Sequence, residues 1–458
     1  EYHYPRASIS ASVLPHGQNI VKKSFIFLLL ALALIVIVSP GIVGKLAEQS
    51  MDENLDWAAT ESREVTITSQ GFDRGWFSSA GQHRIELNDG DARDTLNALL
   101  QDSGYGSTPA LIIDTRIDHG IVPVSSMGRE KGSLAPGLGS AVSTLHLEFD
   151  DGDRLELPGK VYSKVSLTGE LQSNFLVEPG TFSDGAETVQ WGNIDALITM
   201  SAASSTVGFN GMIDEIILSS PRDELALGTI TFKGKQHATL FGYSLGDAQL
   251  SIESITYPTD WGPMETGPLH VTSRASLDDD LLNARTTVDI ASLPLGDFGP
   301  SNIGFDASIA GADAAAVGHI SDVLDRVESY GSYEALQLAV EDDLRTLFAK
   351  GFDVRVERMA VAMPTGTFAA TLDVTVEPTD IDRFVMTSLL LAVDAQLNLS
   401  VPVELYDYAV SIDPQVNAVV SMGFLRREGD EYRMRGEFRN GLLPVIGAPL
   451  PGLLRALQ

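Results

Sequence analysis

The chain has 458 residues, enough for two or three ordinary domains or one elongated one, and 44% of them are hydrophobic, which supports a sizeable core and excludes a disordered composition. Its formal net charge is −31, from 62 acidic and 31 basic residues; a surface this negative repels phosphate, argues against nucleic acid as a partner and disfavours lying flat on anionic lipid. There is no cysteine, so disulfides, thiol catalysis and thiolate metal sites are excluded.

In chain order, residues 1–21 carry Pro5, Pro15 and Gly17 with no helical period, and read as a cytoplasmic tail or as an extension upstream of the true start. Residues 22–44 form the expected anchor. Lys22 and Lys23 precede an apolar run from Phe25 to Val38, and the uncharged stretch extends from Ser24 to Gly44, against the roughly 20 residues a spanning helix needs. The apolar run alone would also suit a signal peptide. Pro40, within the nearest small-residue site, disfavours cleavage and favours a retained signal anchor. Basic Arg6, Lys22 and Lys23 before the span, with acidic Glu48, Asp52, Glu53 and Asp56 soon after it, keep the N-terminus cytoplasmic and place the rest outside.

Residues 45–312 read as a β-rich region. Lys45–Ser62 opens it as a helical stalk, and from Glu64 the hydrophobic period changes to two, the mark of half-buried strands. Phe149 to Arg154, with Asp150, Asp151, Gly152 and Asp153, reads as a hairpin turn. Further strands are expected at Val161–Thr168, Ala196–Met200, Thr206–Phe209, Glu215–Ser219, Gly228–Phe232, Ala248–Ile255 and His270–Ala275. Asp278, Asp279 and Asp280, before Leu281 and Leu282, read as a solvated turn or helix start. No fixed-length repeat is visible, which argues against a propeller or solenoid. Residues 313–350 read as a helix pair broken near Gly331. Val317, Ile320, Val323, Leu324 and Val327 keep helical spacing, and Leu336, Val340, Leu344, Leu347 and Phe348 resume it. The acids on its polar faces favour packing on a sheet over lying on a membrane. Residues 351–458 return to strands at Asp353–Val361, Phe368–Val376, Ala392–Leu399, Val416–Leu425 and Glu431–Phe438. The expected fold class is α+β, mostly antiparallel β, as an elongated curved sheet with one helix pair.

The chain lacks His-Glu-x-x-His, phosphate-loop, Gly-x-Gly-x-x-Gly and Gly-x-Ser-x-Gly motifs, and its eight His show no metal-ligand spacing. No metal, no cofactor and no enzymatic activity are therefore expected. Two segments stand out. Trp76 and Phe77, bracketed by Gly and Ser, read either as a hairpin corner capping a core or as an aromatic recognition spot. His119, beside Asp118 at the end of an alternating strand, reads as a structural turn residue or as half of an acid–base pair. A hydrolase would need His119 to lie near a serine and an acid.

Arg74 to Ser79, His119 with Gly120, the Leu240 to Asp247 passage, Gly351–Pro378, and Gly429 to Tyr432 with Gly441 and Leu442 come in an order that resembles the YdgA-like family of bacterial inner-membrane proteins. Ile121 stands where that family usually has Pro, and its usual Asn-Gly near the end appears only as Ile446 and Gly447. The resemblance implies a single-pass protein of the cell inner membrane with a large periplasmic C-terminal body, and it brings no activity or catalytic residues. Two readings follow. In one, the protein is non-enzymatic and binds hydrophobic envelope components or bridges envelope layers through a trough lined by Leu, Ile, Val and Phe. In the other it is a scaffold or assembly partner acting through protein contacts, including with a second copy of itself.

Overall fold

The computed structural model describes residues 65–74, 78–88, 93, 108–119, 139–149, 152, 154–166, 168–184, 187–201, 206–220, 224–239, 241, 243–259, 262–294, 299–324, 332–379, 391–439, 444–445 and 448–449. The expected tail (1–21), anchor (22–44) and stalk (45–62) lie outside them. The described residues are mostly antiparallel strand, and the chain divides into two compact units.

The first unit takes in Glu1–Ser201, Ile213–Leu227 and Thr256–Pro263. Its larger sheet is a meander in which β1 (Val65–Arg74), β2 (Ser78–Leu87), β3 (Ala110–His119) and β4 (Gly139–Glu148) pair in turn. β4 pairs with both β5 (Arg154–Glu156) and β6 (Lys160–Val165), and β6 leads through β7 (Glu170–Val177) to β10 (Ile194–Ser201). The β4–β5 hairpin aligns Glu148 with Arg154, and Gly152 at φ 87° supplies the turn the Asp-Gly spacing implies. A smaller sheet runs β17 (Gly262–Thr266), β16 (Ile255–Thr259), β13 (Glu224–Leu227), β12 (Ile216–Ser219), β9 (Glu187–Trp191), β8 (Gly180–Asp184).

One face of the β2–β7 meander is buried: Ile85, Leu111, Ile113, Leu145, Leu147 and Phe175 are each at most 6% exposed. Polar side chains on this face pair across strands, Thr115 Oγ1 with Ser143 Oγ at 2.8 Å and Ser163 Oγ with Ser173 Oγ at 2.9 Å. Buried hydroxyls are tolerated because each serves the other. His83, 1% exposed, has no hydrogen-bond partner at either ring nitrogen among the described residues, and burial holds its pKa below the ordinary value.

The second unit takes in Ala202–Met212, Gly228–Ile255 and Met264–Gln458. After β11 (Thr206–Ile213), nine strands pair antiparallel in one continuous series: β14 (Ile230–Ala238), β15 (Ser244–Ile252), β18 (Leu269–Asp278), β19 (Leu281–Pro294), β20 (Pro300–Asp313), β21 (Phe352–Met363), β22 (Gly366–Val376), β23 (Val393–Pro402) and β25 (Glu431–Phe438). β24 (Arg426–Glu428) pairs with β25, as does β26 (Pro444–Val445), which turns into β27 (Ala448–Pro449).

The expected helix pair is present as α1 (Ala314–Leu324) and α2 (Tyr333–Lys350). It covers one end of the sheet, where Leu282, Ala312, Ala314, Ala316 and Leu347 are buried with Leu245 and pack against Ala275, Leu277, Ala284 and Ile309. Leu245 reaches this cluster because Gly246, at φ 139°, breaks the strand's alternation. A side chain there would stand 1.9 Å from the Lys235 carbonyl oxygen. Asp313 starts α1: its Oδ1 accepts from the Ala316 N–H at 2.8 Å, and its Oδ2 meets Lys350 Nζ at 2.5 Å, which ties both helices together. Burial opposes ionisation of Asp313, yet these donors hold its carboxyl below the usual range.

One expected strand is corrected, one pair of open readings is decided, and one helix is added. Val416–Leu425 is not a strand: Pro414–Val416 is a 3-10 turn and α4 (Asn417–Ser421) follows. Its β-branched residues mimic a strand, but Asp413 accepts from the Gln415 N–H at 2.9 Å and Pro414 takes the first helical position. Of the two readings of Asp278 to Asp280, the turn holds and the helix start does not. Asp279 and Asp280 adopt φ 46° and 64°, the two-residue hairpin turn between β18 and β19. A helix unforeseen in the sequence, α3 (Val403–Ile412), follows β23; it buries Tyr406, whose hydroxyl bonds Asn417 at 3.0 Å and whose ring lies 4.1 Å from that of Tyr432.

Candidate functional site

The nine-stranded series has two unlike faces, and the register reads them off rung by rung. One rung crosses the strands through Phe232, Leu250, Val271, Val288, Phe305, Met359, Ala370, Leu399 and Met434. Every member is apolar. A rung on the opposite face crosses the same strands through Lys235, Asp247, Arg274, Arg285, Ser308, Arg355, Asp373, Gln396 and Glu437, and every member is polar. Bulges keep the faces consistent. On β21 the pairing skips from Val356 to Met359, so both side chains stay on the apolar side.

A second apolar rung lies alongside the first: Ile230, Ile252, Leu269, Ile290, Ile303, Val361 and Phe368. None of the residues in these two rungs is fully buried. They are half-buried throughout, apart from Met359, which is 47% exposed. Under the helix pair, by contrast, Leu282 on the same strand as Val288 is 7% exposed. The helix pair therefore closes one end of an apolar surface that continues, half-open, along the rest of the strands. This half-open apolar face is the candidate site.

The opposite face is a lattice of exposed charge. Arg285 meets Asp306 at 2.5 Å and also contacts Glu357; the Asp306 bond raises its pKa further. Arg358 meets Asp289 at 2.7 Å. Such exposed pairs contribute little to stability, but they keep that face in water and fix which side of the sheet is apolar.

Trp76 and Phe77 lie outside the described residues; the hairpin that brackets them is in place, with Arg74 opposite Ser79. His119 ends β3 opposite Gly139, and its side chain lies outside the described residues. Elsewhere Ser251 Oγ and His270 Nδ1 are 2.8 Å apart, and Asp289 stands opposite His270 in the register. That constellation lies on the exposed polar face, and Asp289 is engaged by Arg358. In the first unit, an open polar cleft of about 580 Å³ includes Asp73, Gln82, Asp114, Arg116 and Lys160. Both oxygens of Asp114 are engaged there, one by Gln82 at 2.7 Å and the other by His146 Nδ1 at 3.3 Å. Among the described residues no group of three His, Asp or Glu is placed to hold a metal ion, and no helix is long and apolar enough to cross a membrane.

No curated protein and no solved structure matches the chain. A family model described as "Bacterial protein of unknown function (DUF945)" matches residues 21–451, and the chain belongs to that family.

Proposed function

We propose that the protein is a non-enzymatic, membrane-anchored member of the YdgA-like group whose second unit binds the acyl chains of envelope lipids on its apolar sheet face. In this reading residues 22–44 hold it in the inner membrane and the acidic body stands in the periplasm. One observation carries the proposal: nine consecutive strands contribute only apolar side chains to one rung, none fully buried, while the rung behind it is wholly polar. A rung without charged or polar side chains offers no partner to a polar group, so a hydrocarbon ligand loses least on docking there.

The test is mass spectrometry of lipids retained by the purified full chain, beside Val288→Asp and Phe305→Asp variants. The wild type should retain lipid that both variants lose. Equal retention by all three would mean that lipid sits on the anchor alone and would defeat the proposal.

A second reading, an assembly partner acting through protein contacts, draws on Tyr408, Ile412 and Met422 of the α3–α4 region, which are 46%, 68% and 69% exposed. Chemical crosslinking in membranes that recovers only monomer would remove it.

A further inference from the structure

Between the apolar rung and the helix-covered end of the sheet runs a third rung with a different character. Gly234, Ala248, Ser273, Thr286 and Ala307 face one another across β14, β15, β18, β19 and β20. All five are small, and each is half-buried or exposed. Ser273 and Thr286 stand directly opposite each other, the placement in which hydroxyls can serve one another.

The track has walls and ends. On one side stand Phe232, Leu250, Val271, Val288 and Phe305; on the other, Ala275, Ala284 and Ile309 pack against the cluster beneath the helix pair. At β21 and β22 the same rung continues with the larger Val356 and Leu372, so the small floor stops. At the opposite end Phe209 of β11 closes it: a Cβ on Gly234 would lie 2.5 Å from the Phe209 ring.

We infer that this track seats a single extended acyl chain lying across the strands, with Phe209 as the stop that sets its length. The inference rests on the acyl-binding reading above and deepens it. With Gly234 under the Phe209 ring, the open floor runs from Ala248 to Ala307, and three strand spacings of ~4.8 Å make it roughly 14 Å long, comparable to the ~15 Å depth of one leaflet in a ~30 Å hydrocarbon core. Rungs on one face are about 6.8 Å apart along a strand, too narrow for a helix of ~10 Å diameter. A peptide laid flat here would bury backbone N–H and C=O groups that the side-chain floor cannot satisfy. A hydrocarbon chain has neither difficulty.

The test measures saturated fatty acids of graded length competing with a fluorescent fatty acid on the full chain. Ala248→Phe, which fills the floor, should weaken binding at least tenfold. Phe209→Ala should shift the preferred chain to longer acids. Thr287→Phe, on the other face of β19, should change neither. If Ala248→Phe does not fold, Thr286→Phe fills the same floor. Binding that is intact with the same length preference in Phe209→Ala and in the filled variant would overturn the track while leaving acyl binding standing. No fatty-acid binding by the wild type would instead overturn the reading on which the track rests.

Discussion

Leu282 and Val288 stand on one strand and one face, and differ in what lies over them. Leu282 is 7% exposed and packed with Ala312, Ala314, Ala316 and Leu347. Truncating it to Ala opens a cavity beneath the helix pair and should cost about 2–5 kcal/mol. Val288 is half-buried, on a rung that is apolar across all nine strands. Each buried CH₂ contributes about 0.8 kcal/mol, so Val288→Ala removes about 1.6 kcal/mol at full burial and roughly half of that here. Urea denaturation of the two variants, followed by circular dichroism with hydrogen exchange of the β19 amides as a second readout, measures the gap. A Val288→Ala cost equal to that of Leu282→Ala would show the rung to be ordinary core and would refute the open-face argument.

Asp313→Ala should cost about 1–2 kcal/mol through loss of the α1 cap, seen as faster exchange of the amides at the start of α1, whereas Asp313→Asn keeps a capping oxygen and costs less. Because the folded carboxyl sits below its ordinary range, its contribution is present above the unfolded value of ~4 and is lost as pH falls through the folded one, so Asp313→Asn should flatten that part of the acid profile. His83 is held neutral by burial, with a folded pKa below the unfolded value. The first unit should therefore lose stability as pH falls below ~6.5, and His83→Phe should abolish that slope in melts taken at a series of pH values. Gly246→Ala, forced against the Lys235 carbonyl at φ 139°, should destabilise the second unit by about 2–4 kcal/mol; an unchanged melting curve would show that the strand relaxes freely.

The strands and the helix pair were legible because each is a local periodic signal. Alternation at Gln82 to Leu87 and helical spacing from Val317 to Val327 need no knowledge of partners. β19 and β20 escaped because their alternation is blurred by small and polar residues, such as Ala284, Thr286 and Ala307. α3 escaped because Tyr406, Tyr408, Val410 and Ile412 favour strands locally, while packing on Tyr432 decides for helix. The apolar face was invisible for a deeper reason. Phe232 and Met434 are ordinary residues of ordinary strands, and only the register, with its bulge at Val356 and Met359, lines them up. Trp76, Phe77 and His119 drew attention through unusual neighbours in the sequence, a signal that carries no information about which rung a side chain joins.

The proposed acyl binding is tested most directly by a photoreactive amino acid placed at Val288 and, separately, at Thr287, adjacent residues of β19 that face opposite ways. On irradiation in intact membranes, the label at Val288 should yield lipid adducts and the label at Thr287 few or none. Equal lipid labelling from both positions, or only protein adducts from Val288, would contradict an apolar face built for lipid.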